Sequence, residues 1–299
     1  MAARKNDTNL VVANSRRVKL VRQAESFLQY QPGSEAYLAG ALAKLLVDKG
    51  LADNDFLTRC VANRDELDAY LNNFDLDTAC TVTGISHEQL EKAADYLGAA
   101  ASVAIIFGRD VMGAAQAEAA IAAIANLALV TGALHGDQGG LFPVALKGNA
   151  QGLIDAGVAA EFLPGLQDYA AARETFAKAW HCTLPEGGAD AIGILEGIEQ
   201  GKIKALYLAG ANPLVGFPDN ARWRKALDKL DILVAQDILA NDLTTLATVV
   251  LPGAASSEKR GSVTAMDQRV NKLRIAVAAP GEARPDLAII SDLFARLTG

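Results

Sequence analysis

The chain has 299 residues, 51% hydrophobic and 21% charged, which is ample apolar material for one or two packed cores and excludes a disordered chain. With 28 Lys and Arg against 35 Asp and Glu, the net charge of −7 argues against nucleic acid or an anionic membrane as the main partner. The first 30 residues scatter Arg and Lys without a long apolar run, so neither a signal peptide nor direct membrane insertion is expected, and the default location is cytoplasmic.

Asn9-Leu-Val-Val-Ala13 reads as a strand ending at Asn14-Ser-Arg-Arg17. Pro32-Gly33 marks a turn, Ser34 is an N-cap candidate, and apolar spacing through Leu38, Leu42, Leu45 and Leu46 predicts a helix that stops at Gly50. One or two short helices follow between Asp53 and Phe74, and Ser86 with Gln89 forms a capping-box pattern that opens a helix from about His87 to Leu97. Ser102–Phe107 is a second strand, Gly108–Gly113 its terminal loop, and Ala114–Val130 a long alanine-rich helix. From Thr131-Gly132 an irregular stretch runs through Gly139-Gly140, Pro143 and Gly148-Asn149 to about Gly157. So many glycines indicate either close backbone approach or an interdomain connection.

The second half alternates more cleanly. Helix at Ala191–Gln200, strand at Ala205–Ala209, helix at Pro218–Leu230, strand at Asp231–Ala235, a helical turn at Leu243–Leu246 and strand at Thr248–Leu251 make βαβ units, hence a parallel sheet with helices against it. The loops after the strands, Gly210–Pro213, Gln236-Asp237 and Pro252-Gly253, then share one sheet edge, where a ligand or partner of an open α/β sheet sits. The expected organisation is a first α/β domain over 1–145, a connecting glycine-rich and helical segment over 146–190, and a second α/β domain over 191–299.

Cys60, Cys80 and Cys182 are far apart and form no Cys-x-x-Cys pair, so they read as free thiols and no metal site is expected from this chain alone. His87, His135 and His181 are equally scattered, and no Ser/His/Asp or metal-ligand constellation follows from spacing.

Six segments taken together carry a resemblance: Val11-Val-Ala-Asn-Ser-Arg-Arg17, Gly132–Gly157, Gly210-Ala-Asn-Pro-Leu214, Val234-Ala-Gln-Asp237, Ala247-Thr-Val-Val-Leu-Pro252, and Glu258-Lys-Arg-Gly-Ser-Val-Thr264 with Gln268-Arg269. In this order and spacing the chain resembles the molybdopterin oxidoreductase family, and within it the large iron–sulfur subunit of NADH:quinone oxidoreductase (respiratory complex I), more distantly formate dehydrogenases. The resemblance implies two Rossmann-like parallel-sheet domains with helices on both faces, each incomplete here because the family's N-terminal iron–sulfur region has no counterpart. In catalytic members two molybdopterin guanine dinucleotides hold molybdenum or tungsten, and the positions matching Gly210, Asn212, Gln236, Asp237 and Asn149 face the cofactor. In this chain Asn212 instead reads equally as a turn residue before Pro213, and Asp237 as a helix cap.

Departures from the family pattern point away from catalysis. Pro143-Val-Ala-Leu-Lys-Gly-Asn149 has Ala145 where formate dehydrogenases resemble one another in carrying an arginine, and Lys147 is a poor replacement for a planar anion clamp. Thr248 stands where the family has Asp, and Gly261-Ser262 where it has Gly-Thr. The resemblance therefore implies a structural segment of an NADH-oxidising electron-transfer subunit, with no catalytic residue and no cofactor of its own. Iron–sulfur clusters and flavin would lie on partner chains or the missing region, and the location is cytoplasmic or peripheral to the inner membrane through a complex. The alternatives are the C-terminal half of a split molybdenum or tungsten enzyme, and an independent nucleotide-binding α/β protein. Glu258, Lys259 and Arg269 read as fold-holding ion-pair residues.

Overall fold

The computed structural model describes residues 8–136 and 138–298; the readings of the amino-terminal stretch and of the glycine-rich loop extend over positions 1–7 and 137, which lie outside them. Two compact units divide the chain, Met1–Leu146 and Lys147–Gly299. Each is an α/β arrangement built on parallel strands. Among the described residues no helix is long and apolar enough to cross a membrane.

The first unit begins with β1 (Val11–Ala13), parallel to β2 (Ser26–Leu28). A 3-10 turn at Lys19–Gln23 makes the crossover between them. Helices α1 (Glu35–Asp48), α2 (Asn54–Cys60), α3 (Arg64–Asn72), α4 (Leu76–Thr83) and α5 (His87–Gly98) follow. Then come β3 (Ala104–Phe107), the short α6 (Arg109–Met112), α7 (Ala117–Val130) and β4 (Gly140–Pro143), with β4 parallel to β3. The core forms where the Leu38, Leu42 and Leu46 side of α1 meets Ala120, Ala123, Ile124 and Leu127 of α7. Small residues on both helices let the backbones come close, and Phe74 lies over Gly40, where a Cβ would collide with its ring.

Local chemistry starts and stops these helices. Ser86 accepts from Gln89 N while the Gln89 side chain accepts from Ser86 N, the reciprocal cap expected from the sequence. Asp53 caps α2 by accepting from Phe56 N at 3.0 Å, and its other oxygen lies 2.9 Å from His135 Nδ1, whose ring stacks on Phe56. The Phe56 amide foremost, and then His135, hold the Asp53 carboxyl below its usual range. A depressed folded-state pKa stabilises the fold above the unfolded-state value near 3.9, and that contribution disappears as pH falls through the folded value. Urea midpoints taken from pH 5 downward are therefore expected to fall less steeply for Asp53→Ala than for the parent; equal slopes would remove this linkage.

The second unit opens with α8 (Ala150–Asp155), the two-residue pairs β5 (Phe162–Leu163) and β6 (Gln167–Asp168), and α9 (Tyr169–Trp180). These occupy the stretch that the sequence offered as a connection. After α10 (Ala191–Glu199) come β7 (Ala205–Ala209), α11 (Pro213–Gly216), α12 (Asn220–Leu227), β8 (Ile232–Asp237), α13 (Asp242–Leu246) and β9 (Val249–Pro252). The three strands form one parallel sheet in the order β7-β8-β9. The chain closes with the antiparallel pair β10 (Gly261–Thr264) and β11 (Val270–Leu273), then α14 (Asp286–Thr298).

Alternation along the strands sends Leu206, Leu208, Leu233 and Ala235 toward Leu195, Ile198, Trp223 and Leu227 of the helices. On the opposite face of the sheet Tyr207 and Val249 are exposed. Thr248 has a structural reason in this chain. Its Oγ1 accepts from Leu233 N at 3.0 Å and its N donates to Leu233 O at 2.8 Å, which extends the ladder where an Asp would bring a charge.

Candidate functional site

The carboxyl ends of β7, β8 and β9 form one row, as the sequence reading expected of a parallel sheet. Gly210, in the left-handed region at φ 62°, donates its N–H to Gln236 O at 2.8 Å, and Gly253 N donates to Asp237 O at 2.9 Å. A side chain at 210 would be strained at this φ, and no atom lies within 4 Å of where its Cβ would sit. The backbone is open to close approach there.

Asn212 is the N-cap of α11. Its Oδ1 accepts from Leu214 N at 3.0 Å, and its Nδ2 donates to Asn241 Oδ1 at 3.3 Å. Asp237 does not cap the following helix. Its Oδ1 accepts from Ile238 N at 2.7 Å and its Oδ2 from Asn241 Nδ2 at 2.8 Å. The cap of α13 is Asn241, which also accepts from Leu243 N and Thr244 N. Asn212, Asn241 and Asp237 thus make one continuous hydrogen-bonded chain across the strand ends. The sequence reading missed Asn241, although Asn241 followed by Thr244 carries a capping signal.

Gln236 is 2% exposed and satisfied at both ends. Tyr207 donates its O–H to Gln236 Oε1, and Gln236 Nε2 donates to Asp286 Oδ1 at 2.5 Å. Asp286 also pairs with Lys259, so the first residue of α14 is bonded to the end of β8. Burial, followed by the Asp286 charge, raises the Tyr207 phenol. Of the expected fold-holding residues, Lys259 meets Asp286, Glu258 accepts from Ala255 N at 2.9 Å, and Arg269 pairs with Asp267 at 3.4 Å.

Asn149 belongs to a different contact. It has φ 62°, and its Oδ1 accepts from Thr264 N at 2.9 Å, holding β10 to the start of α8. Among the described residues, no three His, Cys, Asp or Glu side chains come together to hold a metal, and Cys60, Cys80 and Cys182 are free thiols.

Comparison with known proteins connects this geometry to a family. A family model described as molybdopterin oxidoreductase matches residues 1–296. The chain is 43% identical over its full length to the NADPH-Fe(3+) oxidoreductase subunit alpha of Geobacter sulfurreducens, covering 35% of that protein. It is 31% identical over 99% of its length to the F420-dependent formate dehydrogenase subunit alpha of Methanocaldococcus jannaschii, covering 44% of it. Its fold is similar to that of acetylene hydratase from Pelobacter acetylenicus, with a TM-score of 0.79 at 20% identity over 99% of this chain and 44% of the other. The chain therefore spans less than half the length of each of these relatives.

Proposed function

The chain belongs to the molybdopterin oxidoreductase family, and on that premise we propose that it is a structural portion of an alpha-type subunit of a multi-subunit oxidoreductase. Metal, iron–sulfur and flavin groups are then held by polypeptide outside these residues. Within the family the sequence reading pointed to the large subunit of NADH:quinone oxidoreductase. Identity of 43% across the whole chain moves the proposal to a relative of the NADPH-Fe(3+) oxidoreductase alpha subunit. The complex still draws on a reduced nicotinamide nucleotide, and the partners are its remaining redox subunits.

The observation that carries this reading is the closed bonding at the strand ends. Asn212, Gln236 and Asp237, the side chains the family resemblance offers to a guanine dinucleotide, are engaged with Asn241, Tyr207, Asp286 and nearby backbone amides. As folded, Gln236 is buried and Asn212 and Asp237 are half-buried, and all three are already engaged, so serving a nucleotide would mean exchanging these bonds for new ones. Their work is to join β7, β8, α11, α13 and α14 at one edge.

A second reading, part of a molybdenum or tungsten enzyme of the formate dehydrogenase kind, is favoured by the 31% identity and by the open backbone at Gly210. The two separate on the assembled complex, purified through a tag on this chain from its native host. The structural reading expects flavin-bearing nicotinamide-nucleotide dehydrogenase subunits to co-purify, and expects Asn212→Ala to leave the metal content per complex unchanged. Stoichiometric molybdenum or tungsten that is lost from a still-assembled Asn212→Ala complex would overturn it.

A further inference from the structure

A concavity opens on the helical side of the first unit, between the starts of α1, α4 and α7 and the end of α3. It holds about 600 Å³, a volume within the roughly 300–1,000 Å³ of small-molecule sites. Three aromatic rings, Tyr37, Tyr70 and Phe74, line it together with the carboxylate of Asp75, and the start of α7 contributes Gln116 and Ala119. No Lys, Arg or His is among its lining residues.

The aromatic cluster depends on one absent side chain. A Cβ at Gly40 of α1 would collide with the Phe74 ring and lie 3.0 Å from the Tyr70 hydroxyl, so both rings settle onto the α1 backbone. Their centroids are 5.8 Å apart and their planes are inclined at 67°, like two adjoining walls of a cage. Tyr37, three residues before Gly40 and so on the same side of α1, supplies the third ring. Tyr37 and Tyr70 are both partly exposed, which leaves their rings accessible. Burial, followed by Tyr37, raises the Tyr70 phenol, so it is uncharged at neutral pH.

Asp75 supplies a charge. Its Oδ1 accepts from Asp77 N at 3.0 Å and its Oδ2 from Thr78 Oγ1 at 2.5 Å. These bonds, that of the Thr78 side chain foremost, hold the carboxyl below its usual range, and it is ionised at neutral pH. The helix starts around the site do not reverse the sign. In their first turns α1, α4 and α7 carry Glu35, Asp77 and Glu118, which offset the positive ends of the helix dipoles. A metal ion is a poor match, since Asp75 is the one carboxylate in the lining and among the described residues no three His, Cys, Asp or Glu come together.

We propose that this concavity binds a small organic cation, a quaternary or trialkylated ammonium. Such an ion spreads its charge under an apolar surface, so aromatic faces and one carboxylate attract it without the dense oxygen shell that a metal ion needs. The proposal goes beyond the function proposed above and shares no residue with the strand ends of the second unit, so either can fail without the other.

The test titrates choline chloride into the isotope-labelled full chain, with sodium chloride lowered to keep the ionic strength constant, and follows the amide resonances of Tyr37, Tyr70, Phe74, Asp75 and Ala119. Saturation at a Kd of about 1–10 mM is expected, the order set by a few partly exposed cation–π contacts. Dimethylbutanol, the neutral isostere with carbon in place of nitrogen, is expected to bind about tenfold more weakly or worse. Tyr37→Leu removes one partly exposed ring, and Asp75→Asn removes the charge while keeping an oxygen for the helix cap. Each is expected to weaken choline about threefold or more. Shifts that grow linearly without saturating would overturn the proposal, and so would equal binding of the alcohol, which would make the concavity an apolar site alone. Saturable choline binding that neither substitution weakens would also overturn it, by placing the cation elsewhere.

Discussion

Gly139→Ala is expected to lower the stability of the first unit by about 3 kcal/mol, at the upper end of ordinary overpacking costs. A Cβ at 139 would lie 2.5 Å from the Ala133 carbonyl oxygen and 2.7 Å from the Val103 carbonyl oxygen. Both obstacles are backbone, so no rotamer change relieves them. β4 would have to move off β3 and weaken the bonds from Gly140 N to Val103 O and from Val144 N to Phe107 O. Gly148→Ala is the internal control. Nothing lies within 4 Å of its would-be Cβ and its φ is not positive, so a change within about 0.5 kcal/mol is expected. Urea denaturation of both variants followed by circular dichroism measures the difference, and equal midpoints would refute the close-approach argument. The sequence reading asked what this glycine-rich stretch approaches so closely. At Gly139 the answer is the chain's own backbone.

What was legible depended on periodicity. β7, β8 and β9 are largely aliphatic runs separated by helical stretches, so their parallel direction and the shared edge at Gly210, Gln236 and Gly253 followed directly. β2 is three residues long and β4 starts at Gly140 and ends at Pro143, so neither offers an alternating pattern long enough to read. Their existence depends on pairing with β1 and β3. α4 was hidden because Leu76–Thr83 carries only two buried residues, Ala79 and Thr83. The helix after Pro285 was missed although a proline directly before an acidic first turn is a start signal. Of the candidate site, the positions were legible and the bonding was not. Gln236 and Asp286 are 50 residues apart, and nothing local to either one specifies the other.

Gln236→Leu tests that bond directly, and is expected to cost the second unit about 1–3 kcal/mol. Leucine keeps the bulk but leaves the Tyr207 O–H and one Asp286 oxygen without their partner, with Lys259 the remaining neighbour of that carboxylate. Asp286 starts α14, so the loss should also appear as faster amide exchange through the first turn of that helix. Tyr207→Phe removes only one donor from a half-exposed ring and should cost less. Destabilisation by Gln236→Leu of the isolated chain means Gln236 fastens the strand end to α14. The opposite pattern, unchanged unfolding of the isolated chain with nucleotide or metal lost from the assembled complex, would make Gln236 a ligand-facing residue and reverse the structural assignment of the whole strand-end row.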